Sequence, residues 1–215
     1  MPDDDRTGGA EGPRPSPSDR ATPPSPGRPP RHRTGPLLTL AAALALLLGL
    51  LVLGPGVYAV DSPSMSPLAR PGDRLLTVRA APQDVRRGDV LVVDAAGTWD
   101  PPGSGDAAYV KRVVGLPGER VTCCDAAGRL TVDGTLLVEP YLPPGEAPSS
   151  VRFDVVVPPA AVWLMGDSRS GSRDSRDHLG APGGGSVPLS AVRGRVVAVL
   201  WPPQRASAVE SPSAR

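Results

Sequence analysis

"YVKRVVGLPGE", Tyr109 to Glu119, reads as a β-strand that breaks at a Gly-Leu-Pro-Gly turn. In such a strand Tyr109, Lys111 and Val113 share one face, which gives Lys111 apolar company. Lys111 is also the only lysine in the chain, since Lys plus Arg total 23 and 22 of these are arginine. A guanidinium stays charged in proteins, whereas a buried ammonium can lose its proton and serve as a general base. An arginine-biased sequence that happens to keep one lysine would look the same, so the rest of the chain has to separate the two readings.

Around this strand, Asp61 to about Pro203 consists of short apolar runs divided by Gly, Pro and Asp, with no amphipathic pattern of helix length. Strands are expected over 73–79, 89–95, 108–115, 120–124, 129–134, 151–157, 161–167 and 192–201. "DAAGR" and "DGT" suit hairpin turns. The fold class is mostly β, in one domain over 61–203, and about 140 residues suffice to bury a core.

Before this domain lies "LLTLAAALALLLGLLVL", Leu37 to Leu53, with Thr39 its only polar side chain. Carried through Gly54-Pro55-Gly56 to Val60, the run has the length of one N-terminal transmembrane helix, at about 1.5 Å per residue against a hydrocarbon core of roughly 30 Å. Arg28, Arg31 and Arg33 precede it and Asp61 is the first charge after it, so the positive-inside bias puts the N-terminus in the cytoplasm and the β-domain outside. "VYA", Val57 to Ala59, also has a small-residue cleavage pattern, which leaves a removed leader or self-cleavage near Ala59 as the rival reading. Residues 1–36 are rich in Pro, Gly, Ser and mixed charge and are expected to be a disordered cytoplasmic tail. Residues 204–215 have similar composition and are expected to be a flexible tail.

A formal net charge of +1 and scattered arginines argue against a nucleic-acid surface. Cys123 and Cys124 are adjacent, and with only His32 and His178 beside them they cannot furnish a zinc site. Neighbouring Cα atoms lie about 3.8 Å apart, short of the usual disulfide span of about 4.4 to 6.8 Å, so a vicinal bridge is left open.

Two further stretches could carry chemistry. "SPSMSP" places Ser62, Ser64 and Ser66 in a Pro-rich loop, and a serine hydroxyl paired with a neutral lysine is a known variant of the catalytic triad. "MGDSRSGSRDSRDHLG", Met165 to Gly180, is dense in acids and arginines that can pair and hold a loop rigid.

In order, the apolar run, "SMSP", "GDRLLTVR", "YVKRVVGLPGE" and "GDSRSGSRDSRDHLG" resemble the type I signal peptidases, the membrane-anchored serine proteases that remove signal peptides from exported preproteins. The resemblance spans about Asp61 to Trp201 and implies a signal-peptidase-like β-domain. By position it implies Ser64 as nucleophile, Lys111 as general base and Ser62 as oxyanion donor beside the Ser64 N–H. It further implies that Ser172 orients the lysine, that Asp174 and Arg176 brace the site, and that Asp167 and Arg169 support it. Substrates would be preproteins with small residues three and one positions before the cut. The lipid bilayer and the export machinery would be partners, with no metal or cofactor.

Ser168 and Gly171 depart from the family pattern, where asparagines are common, and Leu68 directly follows Pro67 where a threonine often intervenes. Three rival readings are a self-cleaving repressor of the SOS type, a Ser-His mechanism through His178, and an inactive, membrane-tethered β-domain acting as a binding module.

Overall fold

The structure is a computed structural model that describes residues 35–103 and 108–210; of 35–37 and 50–53 it describes the backbone only. The tail expected over 1–36 lies outside the described residues except for its last two. These open α1, Gly35–Leu53. Among the described residues, no helix is long and apolar enough to cross a membrane.

The apolar run does not continue as a helix to Val60. After Gly54 (φ +48°) and Pro55, residues Gly56–Ala59 form β1. β1 pairs antiparallel with β2, Arg74–Val78, joining Gly56 to Thr77 and Ala59 to Arg74. Sequence hydropathy cannot see this boundary, because "GVYA" is as apolar as the segment before it, and what makes it a strand is a partner about twenty residues downstream.

The other strands are β3 (Val90–Asp94), β4 (Ala108–Gly115), β5 (Arg120–Cys123), β6 (Leu130–Val132), β7 (Thr135–Leu136) and β8 (Phe153–Val156). They are followed by β9 (Ala161–Met165), β10 (Val187–Pro188), β11 (Val192–Trp201) and β12 (Ser207–Ala208). The large sheet runs β1-β2-β11-β3-β4-β9-β10, with β12 added to β11, and the small one runs β7-β6-β5-β8. The fold is mostly β, and each of the eight expected runs contains a strand.

Burial follows the sequence pattern. β3 is an unbroken apolar run because both its faces are covered. Val90 and Val92 pack with Val60, Met65, Leu75, Val196 and Val199, while Leu91 and Val93 pack with Trp99, Val113, Val162 and Leu164. A third cluster joins the two sheets: Val114, Trp163 and Met165 from the large one meet Val121, Leu130 and Phe153 from the small one. Gly115 lies at this junction, where a Cβ would come within 3.0 Å of Val121, Val157 and Trp163. Cys123 and Cys124 are joined in a vicinal disulfide, and Cys123 packs in this third cluster.

The C-terminal segment corrects the expectation of a loose tail over 204–215. Pro203–Arg205 form a 3-10 turn, β12 pairs with β11, and Arg205 makes an ion pair with Asp73. Residues 211–215 lie outside the described residues.

Candidate active site

Ser64 sits in a one-turn 3-10 helix, Pro63–Met65, between β1 and β2. Pro63 presets the first helical φ, and Ser62 caps the turn by accepting the Ser64 N–H on its Oγ at 3.2 Å. Met65 is buried in the core beneath, and the Ser168 N–H donates to the Ser64 carbonyl at 3.1 Å. That last bond uses only backbone, so it does not depend on the side chain at 168.

Lys111 in β4 reaches this turn. Its Nζ donates to Ser64 Oγ at 2.9 Å and to the Val110 carbonyl at 3.1 Å, and lies 5.6 Å from the centre of the Tyr109 ring. Lys111 is 3% exposed and Ser64 is 6% exposed. Burial pushes the lysine down from the ordinary 10.5 to about 8, although Asp174 and Asp167 pull it upward. A nearly dry amine that sheds its proton so readily, 2.9 Å from a hydroxyl, can accept that hydroxyl's proton. Both groups open onto a cavity of about 240 Å³ whose walls include Ala59, Val60, Tyr109, Gly171 and Arg173.

The loop after β9 supports this pair from behind. Asp174 is fully buried and receives Arg176 in a two-pronged contact, Nε to Oδ1 and Nη2 to Oδ2, both at 2.8 Å. It also accepts the Gly166 N–H at 2.9 Å. Burial alone would raise the Asp174 carboxyl, but Arg176 and the Gly166 N–H outweigh it and hold the group below the ordinary carboxylate range. Asp174 also caps the turn Ser175–His178, in a reciprocal box with Asp177. Ser175 Oγ accepts the Leu164 N–H at 3.0 Å, which stitches this turn to β9.

Asp167 and Arg169 have partners that sequence spacing did not suggest. Asp167 is held by Arg112, Nε to Oδ1 at 2.7 Å and Nη2 to Oδ2 at 2.6 Å, and Arg112 also donates to the Gly88 carbonyl. The Arg112 guanidinium stacks 4.1 Å from the Tyr141 ring. Tyr141 donates to Glu139 at 2.8 Å, and Glu139 pairs with Arg169. Arg169 donates to the Gly166 carbonyl, and Arg176 to the Arg169 carbonyl. A continuous buried network therefore runs from Asp167 to Asp174. Arg112 had a signal in the sequence, being adjacent to Lys111; Glu139 and Tyr141 had none, because they come from the irregular segment after β7.

Ser172 differs from its expected contact. Its hydroxyl is sealed from solvent and helps hold the Asp174 carboxyl down, and no hydrogen bond joins it to Lys111. His178, the rival base, stacks on Trp99 with ring centres 5.4 Å apart and does not line the cavity that holds Ser64.

Comparison with known proteins identifies the family. Residues 31–201 match the family described as signal peptidase, peptidase S26. A probable signal peptidase I of Mycobacterium leprae is 31% identical over 211 residues, covering 72% of this chain and 71% of that protein. Signal peptidase I of Mycobacterium tuberculosis is 38% identical over 125 residues, 52% of this chain and 42% of the relative. Signal peptidase I of Bacillus licheniformis is 31% identical over 153 residues, covering 66% of this chain and 76% of that protein. A crystal structure of a signal peptidase I from Enterococcus faecalis covers 54% of this chain and 96% of its own at 25% identity, with a TM-score of 0.38. The chain belongs to the type I signal peptidases of family S26 and is a hydrolase.

Proposed function

We propose that this protein is a membrane-anchored serine endopeptidase that cuts signal peptides from exported preproteins with a Ser64-Lys111 dyad. The observation that carries the reading is the 2.9 Å contact between a buried, easily deprotonated Lys111 and Ser64 Oγ. Neutral Lys111 takes the Ser64 proton as Oγ attacks the scissile carbonyl. The Ser64 N–H, released from Ser62 Oγ, and the Ser62 hydroxyl turned toward the substrate stabilise the oxyanion. Protonated Lys111 gives its proton to the leaving amine, and water then resolves the acyl-enzyme by the same route. Ser172 holds the neutral amine in line. Asp174 with Arg176, and Asp167 and Arg169 with their partners, keep the loop behind it rigid.

Anchorage is read from the apolar run Leu37–Leu53 and the arginines before it. It assigns residues 1–36 to the cytoplasm and the β-domain from Asp61 onward to the outer side of the plasma membrane, in contact with the bilayer and the export machinery. The test is cleavage of a purified preprotein in detergent by the wild type, Ser64→Ala and Lys111→Arg, with folding checked by circular dichroism. Cutting by the wild type alone is expected. Normal activity in Lys111→Arg overturns the dyad, and an inert wild type across several preproteins favours the tethered binding module.

A further inference from the structure

We propose that Arg205, four residues past the end of the family match, is a positioning residue that holds the Ser64 turn in register with Lys111. The inference rests on the peptidase reading above.

The segment after β11 folds back onto the nucleophile turn. β12 pairs with β11, the Val209 N–H donates to the Val197 carbonyl, and Val209 packs against the cluster that contains Met65 and Ala69. This places the Arg205 guanidinium over the residues that follow Ser64. Its Nε donates to both oxygens of Asp73, at 3.0 and 3.2 Å. Its Nη2 donates to Asp73 Oδ2 at 2.9 Å, to the Leu68 carbonyl at 3.2 Å and to the Pro67 carbonyl at 3.3 Å. Asp73 is 2% exposed and also accepts the Arg70 N–H at 2.9 Å. One planar fork thus ties residues 67–68 to residue 73 across the loop.

Toward Ser64 the same loop is a relay of short-range bonds. The Ala69 N–H donates to the Met65 carbonyl and the Ser66 N–H to the Pro63 carbonyl, both at 2.9 Å. Without Arg205 the carbonyls of Pro67 and Leu68 lose its donor and the buried Asp73 carboxylate loses its charged partner. The turn can then drift, and Ser64 Oγ must stay within hydrogen-bond reach of Lys111 for proton transfer. Lysine at this position would neutralise Asp73 but could not span the carboxylate and both carbonyls from one rigid plane.

An arginine with a purely architectural role would change the folded fraction and leave the rate per folded molecule alone. The test measures kcat and KM for a preprotein with an Ala-X-Ala junction, using the full chain in detergent. Wild type, Arg205→Ala and Arg205→Lys are compared, with the folded fraction taken from circular dichroism. The expected result is a kcat per folded molecule lower by about tenfold or more in Arg205→Ala, KM within about twofold of wild type, and Arg205→Lys in between. If Arg205→Ala does not fold, Arg205→Lys is judged by the same criterion. A kcat per folded molecule within about twofold of wild type overturns the inference, as does a raised KM at unchanged kcat. An active wild type matched by both variants removes the inference alone. A wild type that cuts no preprotein removes the peptidase reading and the inference with it.

Discussion

Arg112 and Asp167 meet in a two-pronged contact with both side chains almost completely buried, 3% and 0% exposed. Arg112 is the direct neighbour of Lys111, and Asp167 begins the loop that backs the site. The pair fixes the strand of the proposed base to the loop behind it. Removing one member strands the other charge in the interior, which typically costs about 3 to 5 kcal/mol. Asp167→Ala is therefore expected to lower the denaturant midpoint steeply, while Arg120→Ala, which breaks an exposed and solvent-screened pair, leaves it nearly unchanged. Equal losses in the two variants would contradict the assignment of Asp167 as structural support.

The lowered Lys111 sets a pH profile. Because the amine must be neutral to act, kcat/KM is expected to rise with pH through about 8 and then level off. The folded value lies below the ordinary 10.5, so the unfolded chain holds more protons between about 8 and 10.5, and stability rises with pH over that window. Lys111→Met should abolish cleavage and flatten that rise in a pH series of urea melts. An alkaline limb near 10.5 in the wild type would sink the buried-amine mechanism.

Gly166 is glycine because the Ser172 side chain and the Ser64 carbonyl both converge on it. A Cβ there would collide with the Ser172 hydroxyl and come within 2.5 Å of the Ser64 carbonyl oxygen. Gly166→Ala is expected to cost about 1 to 3 kcal/mol of stability by overpacking. It should also reduce kcat by about tenfold or more through displacement of Ser64. Activity at the wild-type level in a melted-and-checked sample would mean that the turn and the loop separate freely.

Ser62 accepts the N–H that the reaction needs as a donor. Ser62→Ala loses the hydroxyl donor and is expected to lower kcat by about 10² to 10³ with little change in KM. A change confined to KM would assign Ser62 to substrate binding instead.

His178→Ala should leave cleavage within about twofold of wild type, because the ring stacks on Trp99 outside the cavity. Loss of activity without loss of fold would reopen the Ser-His mechanism.

Much of this was legible in the residues. β4 and β11 were readable from end to end, since Ala108–Gly115 and Val192–Trp201 are long, apolar and bounded by turn residues. The meeting of Ser64 with Lys111 followed from ordered motifs. Contacts without a local signature were not legible. β1 continues the hydropathy of α1 and differs only in having β2 beside it. Residues 204–210 have the composition of a loose tail, yet Arg205 finds Asp73 at a separation of 132 residues. Glu139 and Tyr141 belong to an irregular segment, so no periodicity marks them as partners of Arg169 and Arg112. Ser172 shows the converse, a position fixed by motif whose hydroxyl makes no hydrogen bond to Lys111 in the resting site.

The order β2-β11-β3 gives the large sheet a seam. β11 is the last of the long strands in chain order, yet it joins the strand following the nucleophile turn to the strand beside that of the lysine. Ser64 and Lys111 both precede residue 192, but the backbone pairing that connects β2 to β3 is supplied by β11 alone among the described residues. Completion of the large sheet thus depends on pairings distant in sequence, which are slower to form than local ones.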